Sequence, residues 1–202
     1  VTVSEGVTLT IAPGARVKLG PPGYPLYING TLIADGTDAQ KIIFTSDNDD
    51  TVGGDTNGDG NATSPAAGNW YGMVFNPTSK NNLLDQVIIR YGSYGVLAYT
   101  SSLTVSNSTL TNNSTGIYVS SASPAISNNI ISGNSTGILL SSASPAITGN
   151  TISNNGNGIQ CNNNSNPAIT GNKFEGNTSY AMYFDVTSTG AVISGNTVSG
   201  SY

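Results

Sequence analysis

A four-residue string returns along this chain at a fixed step. Gly95-Val96-Leu97-Ala98 recurs as Gly116-Ile117-Tyr118-Val119, as Gly137-Ile138-Leu139-Leu140 and as Gly158-Ile159-Gln160-Cys161, each 21 residues on. A second string keeps phase: Thr104-Val105, Ala125-Ile126, Ala146-Ile147, then Ala168-Ile169 after one extra residue. Ser120-Ser121-Ala122-Ser123-Pro124 is repeated outright as Ser141-Ser142-Ala143-Ser144-Pro145. Such a period marks a unit that cannot bury its apolar face alone and must stack on its neighbours.

Each unit holds three short apolar pieces, for example Ala125-Ile126, Ile130-Ile131 and Ile138-Leu139-Leu140, separated by Ser, Asn, Gly and Pro. Strands this short form no stable sheet in isolation, and no segment is long enough for a crossover helix. The expected fold is all-β: a single right-handed parallel β-helix of about nine coils of 21–24 residues, with three short strands per coil. Each coil advances the stack by roughly 4.8 Å. Asparagine fixes the register. Asn129, Asn150, Asn172 and Asn196 fall at one place in successive coils, and Asn113, Asn134, Asn155 and Asn177 at another. Stacked Asn side chains hydrogen-bond up and down such a column, so three of the eight Asn-x-Ser/Thr sites are ladder positions rather than glycan acceptors.

The first half keeps the same grammar less regularly, and residues 1–202 read as one domain with a loop excursion over 46–69. Here the chain resembles bacterial and archaeal right-handed β-helix repeat proteins of the pectate-lyase-like group. The resemblance is carried by Gly6-Val7-Thr8-Leu9-Thr10-Ile11-Ala12-Pro13-Gly14, Asn29-Gly30-Thr31-Leu32-Ile33-Ala34-Asp35-Gly36, Ile42-Ile43-Phe44-Thr45-Ser46 and the Gly-Ile…Asn-x-Ile coils. It implies the fold; that group spans lyases, epimerases, adhesins and surface repeats, so it leaves the function open. Lyases of this fold use calcium and a carboxylate cluster beside Arg or Lys on one sheet, as the resemblance implies. Here Asp85, Arg90, Lys173, Glu175 and Asp185 are scattered and do not stack, which argues against catalysis.

Composition removes other classes. Only 8% of residues are charged, six Lys and Arg against eleven Asp and Glu, and no basic run exists to meet nucleic acid. There is no histidine, the commonest general base and metal ligand. The lone Cys161 forms no internal disulfide and reads as a small buried apolar residue. No apolar run approaches the ~20 residues of a membrane span. The first residue is Val1, so the chain reads as a mature or excised product, secreted or held at the cell surface.

The sharpest motif is Asp55-Thr56-Asn57-Gly58-Asp59-Gly60-Asn61, which matches the first half of an EF-hand calcium loop. Alternate oxygens point inward in such a loop because a hard cation wants six to eight of them. Ala66 stands where the bidentate Glu would be, so Asp47, Asp49 and Asp50 are expected to complete a calcium site with Asp55, Asn57, Asp59 and Asn61. Five of the eleven acids fall within residues 47–59, a cluster that would repel itself without a cation.

One outward row adds a candidate partner surface. With Ile117 and Val119 facing in, Tyr118 faces out, and its expected equivalents are Val74, Leu97, Leu139, Gln160 and Met182. An exposed apolar stripe through Leu97, Tyr118 and Leu139, with Tyr99 beside it, suits a partner. Two functions follow. The first is a non-catalytic extracellular structural or adhesive solenoid, calcium-stabilised and able to stack head to tail into filaments through open strand edges. The second is a carbohydrate-binding or lyase-like β-helix that stacks surface polysaccharide on Tyr91, Tyr94, Tyr99 and Tyr118.

Overall fold

The computed structural model describes residues 1–200; Ser201 and Tyr202 lie outside the described residues. The chain winds a right-handed parallel solenoid of about nine turns. Among the described residues 24 strands form three parallel sheets of eight, and each sheet takes every third strand in chain order. No helix occurs among the described residues.

One coil shows the construction. Thr115–Ser120 lies in the first sheet, Ala125–Ser127 in the second and Ile130–Ser132 in the third. The next coil lays Thr136–Ser141, Ala146–Thr148 and Thr151–Ser153 directly on them. Because side chains alternate along a strand, a constant register turns each inward position into a column. Ile117, Ile138 and Ile159 stack in the first sheet, Ile126, Ile147 and Ile169 in the second, Leu110, Ile131 and Ile152 in the third. All nine are buried, and together they form one continuous core.

The corners are where the sequence speaks most locally. Left-handed backbone recurs at Asn107, Asn128, Gly149 and Gly171, one corner in four successive coils. Asn tolerates that conformation and Gly adopts it freely. At Gly149 the choice is also steric, since a Cβ there would collide with the Asn128 carboxamide in the coil before. Beside this corner runs a buried asparagine column. Asn129 donates its backbone N–H to Asn150 Oδ1 at 2.9 Å, Asn150 to Asn172 at 2.8 Å, and Asn172 to Asn196 at 2.8 Å. Each Nδ2 reaches back to a strand carbonyl, as Asn150 does to Ile126 at 3.1 Å. Asn113, Asn134, Asn155 and Asn177 form the second column, all buried, and Gly92 donates to Asn113 at its head.

Two places break the regularity. After Ile42–Ser46 the chain leaves the third sheet and rejoins the stack at Met73–Phe75 of the first. The re-entry is anchored by Trp70, fully buried, whose indole N–H donates to the Arg90 carbonyl at 2.8 Å. At the two ends the inward columns open to solvent. Leu9 is 37% exposed above a buried Leu32, and Ile193 is 48% exposed below a buried Ile169.

Candidate functional site

The excursion divides the expected metal ligands. Carboxylate oxygens of Asp50, Asp55 and Asp59 lie within 4.8 Å of one another. Asp55 organises the turn, accepting the backbone N–H groups of Gly58 at 2.7 Å, Asp59 at 3.2 Å and Gly60 at 2.8 Å. The Gly60 bond, partly offset by desolvation and joined by the Gly58 and Asp59 bonds, holds its carboxyl below the usual range. Asn57 turns its Nδ2 toward Asp59, Asn48 and Thr63. Asp47 is outside the three-carboxylate group. Lys18 reaches over this turn to the Gly54 carbonyl and to Asp50.

Asp49 corrects the expectation most clearly. Its side chain is fully buried and its oxygens are taken by protein donors. Arg90 approaches at 2.6 Å and 2.8 Å, Thr45 at 2.5 Å and Thr51 at 2.6 Å. It is therefore a clamp that ties the excursion to the third sheet, and not a ligand held out to a cation. Burial alone would push this carboxyl up; the two hydroxyls and the Arg90 charge outweigh it and hold the group below its ordinary value. A depressed folded value adds stability above the unfolded value of 3.8, and that contribution is lost as pH falls through the lower folded value. Asp49→Asn is expected to cost about 1–3 kcal/mol at neutral pH, the usual worth of hydrogen bonds to a charge. The gap to the wild type should close in acid below 3.8; denaturation curves showing a pH-independent gap would refute the clamp.

The outward face of the first sheet is the second candidate. Its register row runs Tyr27, Val74, Leu97, Tyr118, Leu139, Gln160, Tyr183. Met182 is displaced from the expected row: it pairs with Ile159 and packs against the core, because the last turn is two residues longer. The stripe is also less exposed than expected. Leu97 and Val74 are each only 4% exposed, whereas Tyr118 and Leu139 are half-buried. In the row Leu97 lies between Val74 and Tyr118, and Val74 between Tyr27 and Leu97. Tyr71 and Tyr94 have ring centroids 5.6 Å apart, Tyr94 and Tyr118 5.8 Å. Burial first, then the phenols of Tyr118, Tyr71, Tyr94 and Tyr27, raises the Tyr99 hydroxyl above its ordinary value; Tyr27 stands in the same register row, one strand before Val74. Tyr91 does not join them; it lies at a corner under the Arg90 guanidinium, 5.3 Å away.

Two groups on this face escaped sequence reasoning. Tyr71 and Tyr27 complete the first patch. Tyr180 and Tyr183, with centroids 5.6 Å apart, form a second with Asn157, Gln160 and Asn162 around a recess of about 210 Å³. The register row was the available signal, and the longer last turn hid it.

Chemistry on this face is neutral. The eight strands of the first sheet contain no Asp, Glu, Lys or Arg. The charges of the regular coils are engaged elsewhere: Asp85 with Ser106 and Asn107, Lys173 with Glu175 at 2.6 Å, and Asp185 with Asn163, Thr187 and Ser188 at a corner. Cys161 is buried in the core, and desolvation, with a smaller push from Asp185, raises its thiol to about 12, so it is not a nucleophile.

A family model described as "Right handed beta helix region" matches residues 71–202. No curated protein and no solved structure matches the chain.

Proposed function

Since this chain belongs to the right-handed beta helix family, we propose that it is a non-catalytic adhesive solenoid that holds polysaccharide against the tyrosine face of its first sheet. The single observation that carries the reading is the contact of Tyr71, Tyr94 and Tyr118 on one sheet face, with Tyr27 in the register row of Tyr118. Large apolar rings with a polar tip suit a ligand that offers C–H faces and hydroxyl rims. A lyase or hydrolase would need a base of suitable pKa or a carboxylate pair beside the polymer; the strands of this face carry no carboxylate, and burial raises the phenols of Tyr94 and Tyr99, away from the range of a base at neutral pH. The proposal places the protein outside the cell or at its surface, where such a polymer is met. Affinity electrophoresis in polysaccharide-containing gels tests it. Tyr118→Ala is expected to weaken retention about tenfold, the scale of one lost aromatic contact with its area. Retention unchanged by both Tyr94→Ala and Tyr118→Ala would end the reading.

Calcium belongs to the same proposal as a brace for the excursion. Asp50, Asp55 and Asp59 would hold it, with water filling the rest of a shell that needs six to eight oxygens. A ligand that binds only the folded state at a hundredfold its Kd adds about 2.7 kcal/mol. For a chain of this size that is a rise in Tm of roughly 5–10 °C. Asp59→Ala should remove most of the rise. Identical melting curves in calcium and in chelator would exclude a stabilising site.

A further inference from the structure

The recess at Tyr180 and Tyr183 lies on the same sheet face as the first tyrosine patch, and its chemistry differs from it in a useful way. Gln160 and Tyr183 stand in the register row of Tyr118, two and three coils further on. At ~4.8 Å per coil, Tyr118 and Tyr183 are roughly 14 Å apart along the axis. Asn157, Gln160 and Asn162 line the recess with the two rings. Asn157 Nδ2 donates to Gln160 Oε1 at 3.3 Å, which leaves Asn157 Oδ1 buried without a donor. A buried acceptor without a partner is a cost, and a rotation of the Asn157 carboxamide toward the recess would let a ligand hydroxyl relieve it.

We propose that this recess is a second subsite for the polymer held at the first patch, and that the polymer is an uncharged glycan laid along the solenoid axis. The inference rests on the adhesive reading above. Three observations select the ligand. Amide side chains between tyrosine rings match hydroxyls, which both donate and accept. An acidic polymer finds no cation on the eight strands of the sheet, and the chain's net charge of −5 repels it. A peptide added as a strand needs free main-chain groups; Tyr180–Phe184 has one free edge, but the strands that carry Tyr118, Leu139 and Gln160 are paired on both sides, so an added strand would extend the sheet and not run along this row. Leu139, half-buried between the two groups, gives the chain an apolar floor to cross.

Calorimetry on the whole chain decides the point. The probes are neutral hexasaccharides and trisaccharides of glucose and of xylose, hexagalacturonate, and a proline-rich peptide. A neutral hexasaccharide is expected to bind. Tyr183→Ala, at a ring that is 38% exposed and so dispensable for folding, should weaken it about tenfold and leave the trisaccharide unchanged. Gln160→Ala should act in the same direction. If Tyr118→Ala abolishes hexasaccharide binding while Tyr183→Ala leaves it intact, the second subsite is wrong and the first patch stands. Tighter binding of hexagalacturonate would overturn the uncharged class alone. Binding of the peptide only, or of no probe, sinks both this inference and the reading beneath it.

Discussion

Replacing Asn150 by alanine is expected to cost roughly 2–6 kcal/mol, from two buried groups left without partners at about 1–3 kcal/mol each. The groups are identifiable. Asn150 Oδ1 receives the Asn129 backbone N–H at 2.9 Å, and Asn150 Nδ2 satisfies the Ile126 carbonyl at 3.1 Å. Neither has water to fall back on, since Asn129 and Asn150 are each 1% exposed. The column also contains its own control. At its upper end Ser108 takes the asparagine's place, and its hydroxyl accepts the Val87 N–H at 3.0 Å. Asn150→Ser should therefore be clearly milder than Asn150→Ala. Chemical denaturation gives the totals, and hydrogen exchange should show the Asn129 amide losing protection first. Equal stability of the alanine variant and the wild type would mean that the ladder follows from the coil geometry and does not hold it.

The second large effect separates the two faces of one strand. Ile138 is fully buried between Ile117 and Ile159, so Ile138→Ala should cost about 2–5 kcal/mol in lost transfer energy and cavity. Its neighbour Leu139 points out between Tyr118 and Gln160 and keeps part of its surface in water. Leu139→Ala should cost about 1 kcal/mol or less, in the range of surface changes away from special features. The contrast matters more than either value. Comparable losses at both positions would put the strand's inward and outward faces in doubt, and with them the whole row of tyrosines.

The parts of this molecule that were legible in its sequence are those that repeat. The 21-residue step, the aliphatic columns and both asparagine ladders depend only on what lies one coil away, and that neighbour is printed one period along. What failed depends on irregular pieces. Leu97 was placed on an exposed stripe because its own strand says so; in the row between Val74 and Tyr118 it is 4% exposed. Met182 was put in the outer row because the preceding coil was counted as one residue longer than 21, whereas Gln160 pairs with Tyr183, two residues beyond the regular step. Asp49 joined the calcium set by adjacency, whereas its partner Arg90 lies 41 residues on and reaches it only after the excursion closes. Residues that meet across unequal turns leave no periodic trace to read.

The exactness of the period has one more consequence, for length itself. Deleting residues 123–143 would join Ala122 to Ser144 and restore the string Ser-Ser-Ala-Ser-Pro-Ala-Ile unbroken. Every corner and column on either side would find the partner it expects, and the rod would be shorter by one strand spacing, roughly 4.8 Å. Duplication of the same segment would lengthen it equally. The two tyrosine groups sit on opposite sides of that seam, so each such edit moves them closer or farther by one fixed increment. The chain is thus a ruler with graduations, whose reach can be reset by whole marks without redesigning either end.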